Sequence, residues 1–273
     1  MILCDCQDGG VTEFADATRV DADGRGEIAD GWDIAGNANG GYLLALAASR
    51  MRAVSGRPDP ISVSAHYLAP GSPGPVQIDT AIVKQGKRFV TVRATMHRDG
   101  KPILEVLGAF GDAAANAGGF AHDVLVPFEL PPIEECVPRA EQQGGLPVPM
   151  MQRLVVRLRP SDVGFTFGEP SGQAEIAGWF DFTDEQPVDT LALLLVCDAL
   201  PPSVFNLPGN PPGWVPTIEY TVHVRAVPVP GPVQCVIRTN LIGDGFLEED
   251  GEVRDSTGKV VATSRQLALL GRS

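Results

Sequence analysis

Two stretches decide how this chain folds: Ser64-Ala-His66-Tyr-Leu-Ala-Pro-Gly-Ser-Pro73-Gly-Pro75-Val-Gln77 and Thr221-Val-His223-Val-Arg-Ala-Val-Pro-Val-Pro230-Gly-Pro232-Val-Gln234. The histidines are 223 − 66 = 157 positions apart, and Pro-Gly-Pro-Val-Gln recurs letter for letter at the same offset. Working outward, Gly86-Lys-Arg-Phe89 meets Gly243-Asp-Gly-Phe246 at 157, and Gly100-Lys101 meets Gly258-Lys259 after one inserted residue. Upstream, Glu27-Ile-Ala29 precedes Trp32, and Glu175-Ile-Ala177 precedes Trp179. A five-residue identity at constant offset, flanked by further matches, marks a tandem duplication.

Each half carries the same pattern. The first predicts a strand over 26–34 and a helix over 40–54, then β-type runs over 61–68, 76–83, 89–97 and 102–110, separated by Pro-Gly, Gln-Gly and Asp-Gly turns. The helix is apolar on nearly every face, which predicts burial rather than an amphipathic surface position. The second half predicts a strand over 174–182, a helix over 189–200 and strands over 217–225, 233–241, 246–255 and 260–269. Strand, apolar helix and antiparallel meander describe a sheet wrapped around a central helix. The fold class is therefore α+β, with one such unit over 9–112 and another over 150–273. The Ala-, Gly- and Pro-rich stretch between them, 113–149, reads as a long crossover linker.

Composition narrows the function. The 273 residues include 34 acidic and 21 basic side chains, a net charge of −13. That excess disfavours a broad nucleic-acid or anionic-membrane surface, while leaving room for a local basic pocket. The longest apolar run, 191–197, is far too short to span a bilayer. The N-terminus lacks the basic and long apolar regions of a secretory signal, so a cytoplasmic location is expected. Cys4, Cys6, Cys136, Cys197 and Cys235 are scattered without a Cys-x-x-Cys pair, as are the four histidines. This favours neither a metal site nor a disulfide framework.

The strand ending at Trp32, then Asn39-Gly40-Gly41-Tyr42 opening a helix, then Val63-Ser-Ala-His-Tyr-Leu-Ala-Pro, resembles the double hotdog acyl-CoA thioesterases. The second half matches through Asp198, Pro216-Thr217-Ile218-Glu219 and Ala262-Thr-Ser-Arg-Gln266. The resemblance implies a tandem hotdog in lipid metabolism, an acyl-CoA substrate, no cofactor, no metal, and a homodimer or higher homo-oligomer. It also implies a catalytic trio: an Asp on the second-half helix, a Ser or Thr on the next strand and a Gln on the last strand. Carried over, these are Asp198, Thr217 and Gln266. In relatives such residues activate a water that attacks the thioester carbonyl. The chemistry is sound, because a carboxylate serves as general base while hydroxyl and amide orient the water.

The repeat says which half is active. Thr217 falls on Pro60 at offset 157, Gln266 on Gly108 at 158, and the helix Asp on the carboxylate-free stretch around 39–43. One catalytic centre per chain follows. The first half offers instead the Asn39-Gly40-Gly41 helix N-terminus, whose free amides suit an oxyanion. Lys87 and Arg88 are candidates for the CoA phosphates, because relatives often carry a Gly-Arg pair there. The competing reading is a solvated hairpin turn. Asp198 has a competing reading too, as an exposed residue at a helix end. His66 and His223 occupy equivalent positions, which favours a structural role near the junction of the halves. Cys197 lacks a histidine at a recognisable spacing and reads as a core thiol. Two other functions stand beside hydrolysis: a catalytically silent acyl-CoA-binding protein, and a hotdog hydratase or dehydratase, which would need an Asp/His pair.

Overall fold

The computed structural model describes residues 13–116, 118–120, 122–125, 127–143, 146–209 and 213–270. Cys4 and Cys6 lie outside them. The first half runs α1 (Phe14–Ala17), β1 (Arg25–Ile28), the short pair β2 (Asp33–Ile34) and β3 (Asn37–Ala38), α2 (Gly40–Ser55), β4 (Asp59–Tyr67), β5 (Gly74–Gln85), β6 (Val90–Arg98) and β7 (Lys101–Gly111). The connecting segment holds β8 (Val137–Pro138), β9 (Gln142–Gln143) and β10 (Leu146–Pro147). The second half runs β11 (Leu154–Leu158), β12 (Glu175–Phe182), α3 (Ala192–Val196), β13 (Thr217–Val224), β14 (Val233–Gly243), β15 (Phe246–Arg254) and β16 (Val260–Leu269).

All the long strands belong to one 12-stranded sheet in the order β1-β5-β6-β7-β4-β13-β16-β15-β14-β12-β11-β8. Outward from the β4–β13 pair, each side repeats the other as far as β1 and β12. The two central strands are antiparallel, with Ser64 opposite Thr221. Those residues are equivalent in the duplication, so a local two-fold passes between them. Their hydroxyls share a hydrogen bond of 2.6 Å. His66 and His223 sit on these same strands, opposite Glu219 and Ser62, with both imidazoles on the exposed face.

The helix α2 is buried as its sequence demands. Asn39 caps it by accepting from the Tyr42 amide at 2.9 Å, and Gly56 ends it in the left-handed region at φ 62°. Leu43, Leu44, Leu46 and Met51 are buried among strand residues such as Val63, Val92 and Phe110. Each such side chain contributes about 1.5–3 kcal/mol relative to exposure. The alanines at 45, 47 and 48 let the sheet approach closely.

Three expectations change. The strand over 26–34 splits, because Gly31 adopts φ 74° and breaks the ladder between β1 and β2. The helix over 189–200 shortens to Ala192–Val196. Asp189 accepts from the Ala192 amide and sets its start, while Asp198 and Ala199 donate to carbonyls three residues back, tightening the chain before Pro201-Pro202. The crossover is not structureless: β8 pairs with β11, and neither strand was among the expected elements. Among the described residues no helix is long and apolar enough to cross a membrane.

Candidate active site

Where the C-terminal end of β4 meets the start of β13, a cavity of about 320 Å³ opens beside the N-terminus of α2 and the turn after α3. That volume lies in the range of small-molecule sites. Asn39, Gly40, Asp198, Thr217 and Gln266 all line it, among apolar walls that include Leu43, Leu68, Trp214 and Ile237.

Asp198 sits one residue beyond the last helical cap of α3. Its Oδ2 accepts from the Gly41 amide at 2.8 Å and from Asn39 Nδ2 at 2.8 Å. Among the described residues no donor reaches Oδ1. Glycine is required at 41, because a Cβ would lie 2.6 Å from the Leu194 carbonyl oxygen and 2.9 Å from Asp198 Cβ. Burial pushes the Asp198 carboxyl up to about 6, against the lowering pull of the Gly41 amide and with a further push from the charge of Glu249. Asn39 and Arg139 pull it down in smaller measure.

Thr217 reaches the cavity through a β-bulge. On β13 the even positions Tyr220, Val222 and Val224 face the core, so regular alternation turns Thr217 outward. The register slips between Thr217 and Glu219, and the extra residue brings Thr217 onto the inner side. There its hydroxyl donates to Gln266 Oε1 at 3.0 Å. Gln266 lies opposite Tyr220 on one side and Glu249 on the other, which places all three on the inner face. Its Nε2 donates to Glu249 Oε2 at 2.7 Å.

Several residues here were not among the sequence candidates. Glu249 is a buried carboxylate that also lines the cavity. No local signal marked it, because only the pairing of β15 with β16 shows that it shares the buried face with Leu247. Tyr67 donates from its hydroxyl to the Gly40 carbonyl at 2.7 Å, and burial followed by the Asp198 charge holds its phenol far above the usual range. Arg139, from the connecting segment, lines the cavity and donates to the Ala199 carbonyl. Burial lowers Arg139 to about 10 while the Asp198 charge opposes that shift.

Other candidates fall elsewhere. Gly41 is not free for an oxyanion, because Asp198 takes its amide. Gly40 faces the cavity as the first helical residue, whose amide has no intrahelical acceptor. Lys87 and Arg88 are not at the cavity. Their turn joins β5 to β6 near the Asp59 end of β4, while the cavity lies past Tyr67, about 25 Å along the strand. There Lys87 accepts from Arg57 through its carbonyl, and Arg88 lies over the Phe89 ring. Cys197 is buried, which pushes its thiol up to about 12 and keeps it protonated. Among the described residues, no cluster of His, Cys, Asp and Glu is arranged to hold a metal ion.

The pseudo-symmetric position is closed. Asn39 and Asp189 each accept from a backbone amide three residues on, near the starts of α2 and α3, and α2 carries no carboxylate to stand where Asp198 does. Thr217 and Gln266 correspond to Pro60 and Gly108, and the space over Gly108 is filled by Phe110 and Met51.

Two family models match the chain, the acyl-CoA thioesterase N-terminal domain over 28–111 and the C-terminal domain over 133–270. The chain belongs to the acyl-CoA thioesterase family. A crystal structure of a protein described as a thioesterase II from Thermobifida fusca YX superposes on this thioesterase-family chain with a TM-score of 0.85, at 30% identity, covering 96% of this chain and 99% of that one. A hotdog-fold protein of unknown function from Alicyclobacillus acidocaldarius gives 0.83 at 22% identity, covering 95% and 98%. An uncharacterized protein of Mycobacterium tuberculosis is 25% identical over 264 residues, 90% of each chain. The hotdog architecture is thus shared over 96% of this thioesterase-family member.

Proposed function

We propose that this thioesterase-family protein hydrolyses an acyl-CoA thioester to the free acid and CoA, with Asp198 as general base. The observation that carries the reading is Asp198 itself: a carboxylate raised to about 6 and anchored through one oxygen, with Oδ1 available in a cavity shared with Thr217 and Gln266. A base of that strength is mostly ionised at neutral pH yet accepts a proton readily. In the proposed reaction, water gives a proton to Asp198 Oδ1 and its oxygen forms the bond to the thioester carbon. The Thr217 hydroxyl keeps its proton and donates it in a hydrogen bond to Gln266 Oε1, so its oxygen lone pairs accept a hydrogen bond from the water's other hydrogen. The Gly40 amide, at the positive end of α2, serves the developing oxyanion. When the C–S bond breaks, the proton on Asp198 passes to the departing thiolate.

The apolar walls suit an acyl chain. A dehydratase reading needs a histidine beside the acid, and no histidine lines the cavity among the described residues. The test is release of free thiol from acyl-CoAs ranging from short to long and from straight to aromatic. Turnover by the wild type that is lost in Asp198→Asn supports the reading. Tight binding of an unhydrolysable analogue without thiol release at any chain length overturns it in favour of a silent acyl-CoA-binding protein.

A further inference from the structure

Beyond the trio, the structure assigns Glu249 as a positioning residue: its buried carboxylate fixes which way the Gln266 amide faces and thereby where the Thr217 hydroxyl points its proton. The inference rests on the proposed hydrolysis and adds a part to it. Burial raises the Glu249 carboxyl while the hydrogen bonds from Ser203 and Gln266 pull it back down, and as a carboxylate it only accepts hydrogen bonds, so Gln266 presents its NH2 group to it. That choice leaves Oε1 facing Thr217, and the Thr217 hydroxyl donates to it at 3.0 Å. Thr217 then shows lone pairs, not its proton, to the cavity. Were the amide reversed, Nε2 would donate to Thr217 and the hydroxyl would turn its proton on the water, opposing transfer to Asp198.

Glu249 is itself held for this work. It is only 4% exposed, and its Oε1 accepts from both the amide and the hydroxyl of Ser203, each at 2.7 Å. The Ser203 hydroxyl also meets Thr239 at 2.8 Å. Oε2 is left for Gln266, directly opposite in the β15–β16 register. Burying a carboxylate is costly unless donors satisfy it, and three donors supplied by Ser203 and Gln266 do so. A leucine would fill this inward strand position more simply. A carboxylate there that also lines the catalytic cavity points to function.

Glu249 also bears on Asp198 electrostatically. The titratable and charged groups around Asp198 are Glu249 from β15, Arg139 from the connecting segment, Tyr67 of β4, and Cys197 and Tyr220 below. Of these, Glu249 is the one whose negative charge raises Asp198, so neutralising it lowers the carboxyl of Asp198.

Glu249→Gln keeps the shape and removes both the acceptor pattern and the charge. The kcat for the best thioester found with the wild type is expected to fall about 10- to 100-fold with KM within about twofold, as for loss of an alignment made in the transition state. The acid limb of the kcat/KM profile should move to lower pH, which a merely structural residue would not do. The exchange Glu249→Gln with Gln266→Glu restores an acceptor opposite Thr217 and should recover part of kcat. Ser203→Ala, a milder change that leaves the carboxylate in place, should lower kcat less. Wild-type kcat and an unmoved acid limb in Glu249→Gln, in a preparation where Asp198→Asn is inactive, overturn the role of Glu249 alone. Loss of kcat with an unmoved limb and no recovery in the exchanged pair overturns it as well. Absence of thiol release by the wild type overturns the hydrolytic reading first.

Discussion

The backbone amide of Gly41 lies 2.8 Å from Asp198 Oδ2, joining the N-terminus of the first-half helix to the turn that follows the second-half helix. Neither half holds this arrangement alone. The first supplies two glycines and a capping asparagine, and the second supplies the carboxylate. The positive end of α2 offsets part of the desolvation of Asp198, and the offset is incomplete, which leaves a base rather than a permanently ionised acid.

Gly41→Ala should therefore harm both stability and activity. Its Cβ would meet the Leu194 carbonyl oxygen at 2.6 Å, and backbone yields less easily than a side chain. Overpacking of this kind typically costs about 1–3 kcal/mol. A thermal melt should show a lowered Tm, and kcat should fall by about tenfold or more as the Asp198 carboxylate is displaced. Unchanged Tm and kcat would show that the helix and the turn separate freely.

The duplication was legible because turns repeat as letters: Pro-Gly-Pro-Val-Gln and the Gly-x-x-Phe turns fix the strand lengths, and those strands appear within two residues of their expected bounds. Asp198 and Gln266 stood out as polar residues on apolar elements. Three features were not legible. The bulge that turns Thr217 inward depends on pairing with a strand some 50 residues away, and local alternation says the opposite. Glu249 hides among Glu248 and Asp250, and only pairing shows which of the three faces inward. The amide of Gly41 looked free because the sequence names a helix N-terminus and not what docks on it.

Lys87→Ala and Arg88→Ala test the placement of the basic turn. Both residues lie at the end of the sheet away from the cavity, so KM for the best acyl-CoA should change by less than about twofold. A surface charge acting only through screened solvent has little leverage at that distance, which exceeds the Debye length of about 8 Å at physiological salt. A tenfold rise in KM would mean that CoA reaches this turn by a route outside the single chain.

Asp198→Asn separates binding from chemistry. The side-chain oxygen of asparagine can still accept from Gly41 and Asn39, which leaves its amide group facing the cavity where the basic oxygen stood. Losing a general base costs about 10²- to 10⁴-fold in kcat. The affinity for an unhydrolysable acyl-CoA analogue should stay within about threefold, measured by calorimetry. A mutant with wild-type turnover would remove Asp198 from the mechanism.

The same substitution carries a stability signature whose sign follows from burial. Asp198 is raised in the folded protein to about 6 from an ordinary value of 3.8. The folded state therefore holds this proton more tightly than the unfolded chain does. Between about pH 4 and 6 the unfolded chain ionises first, so the contribution of this group to stability declines as pH rises through that window and stays low above it. The difference of about two pKa units corresponds to at most about 3 kcal/mol. At pH 8 the asparagine variant, with no charge to desolvate, should melt at a higher temperature than the wild type. As pH is lowered through 6 toward 4, the folded-state carboxyl becomes neutral and its desolvation cost is relieved, so the two melting temperatures should converge. Activity moves the other way, with the acid limb of the wild-type kcat/KM profile falling near pH 6 as the base is protonated. A Tm difference that stays constant from pH 8 to 4 would show that the Asp198 carboxylate is fully solvated through the cavity, and the base would then have the strength of an ordinary surface aspartate.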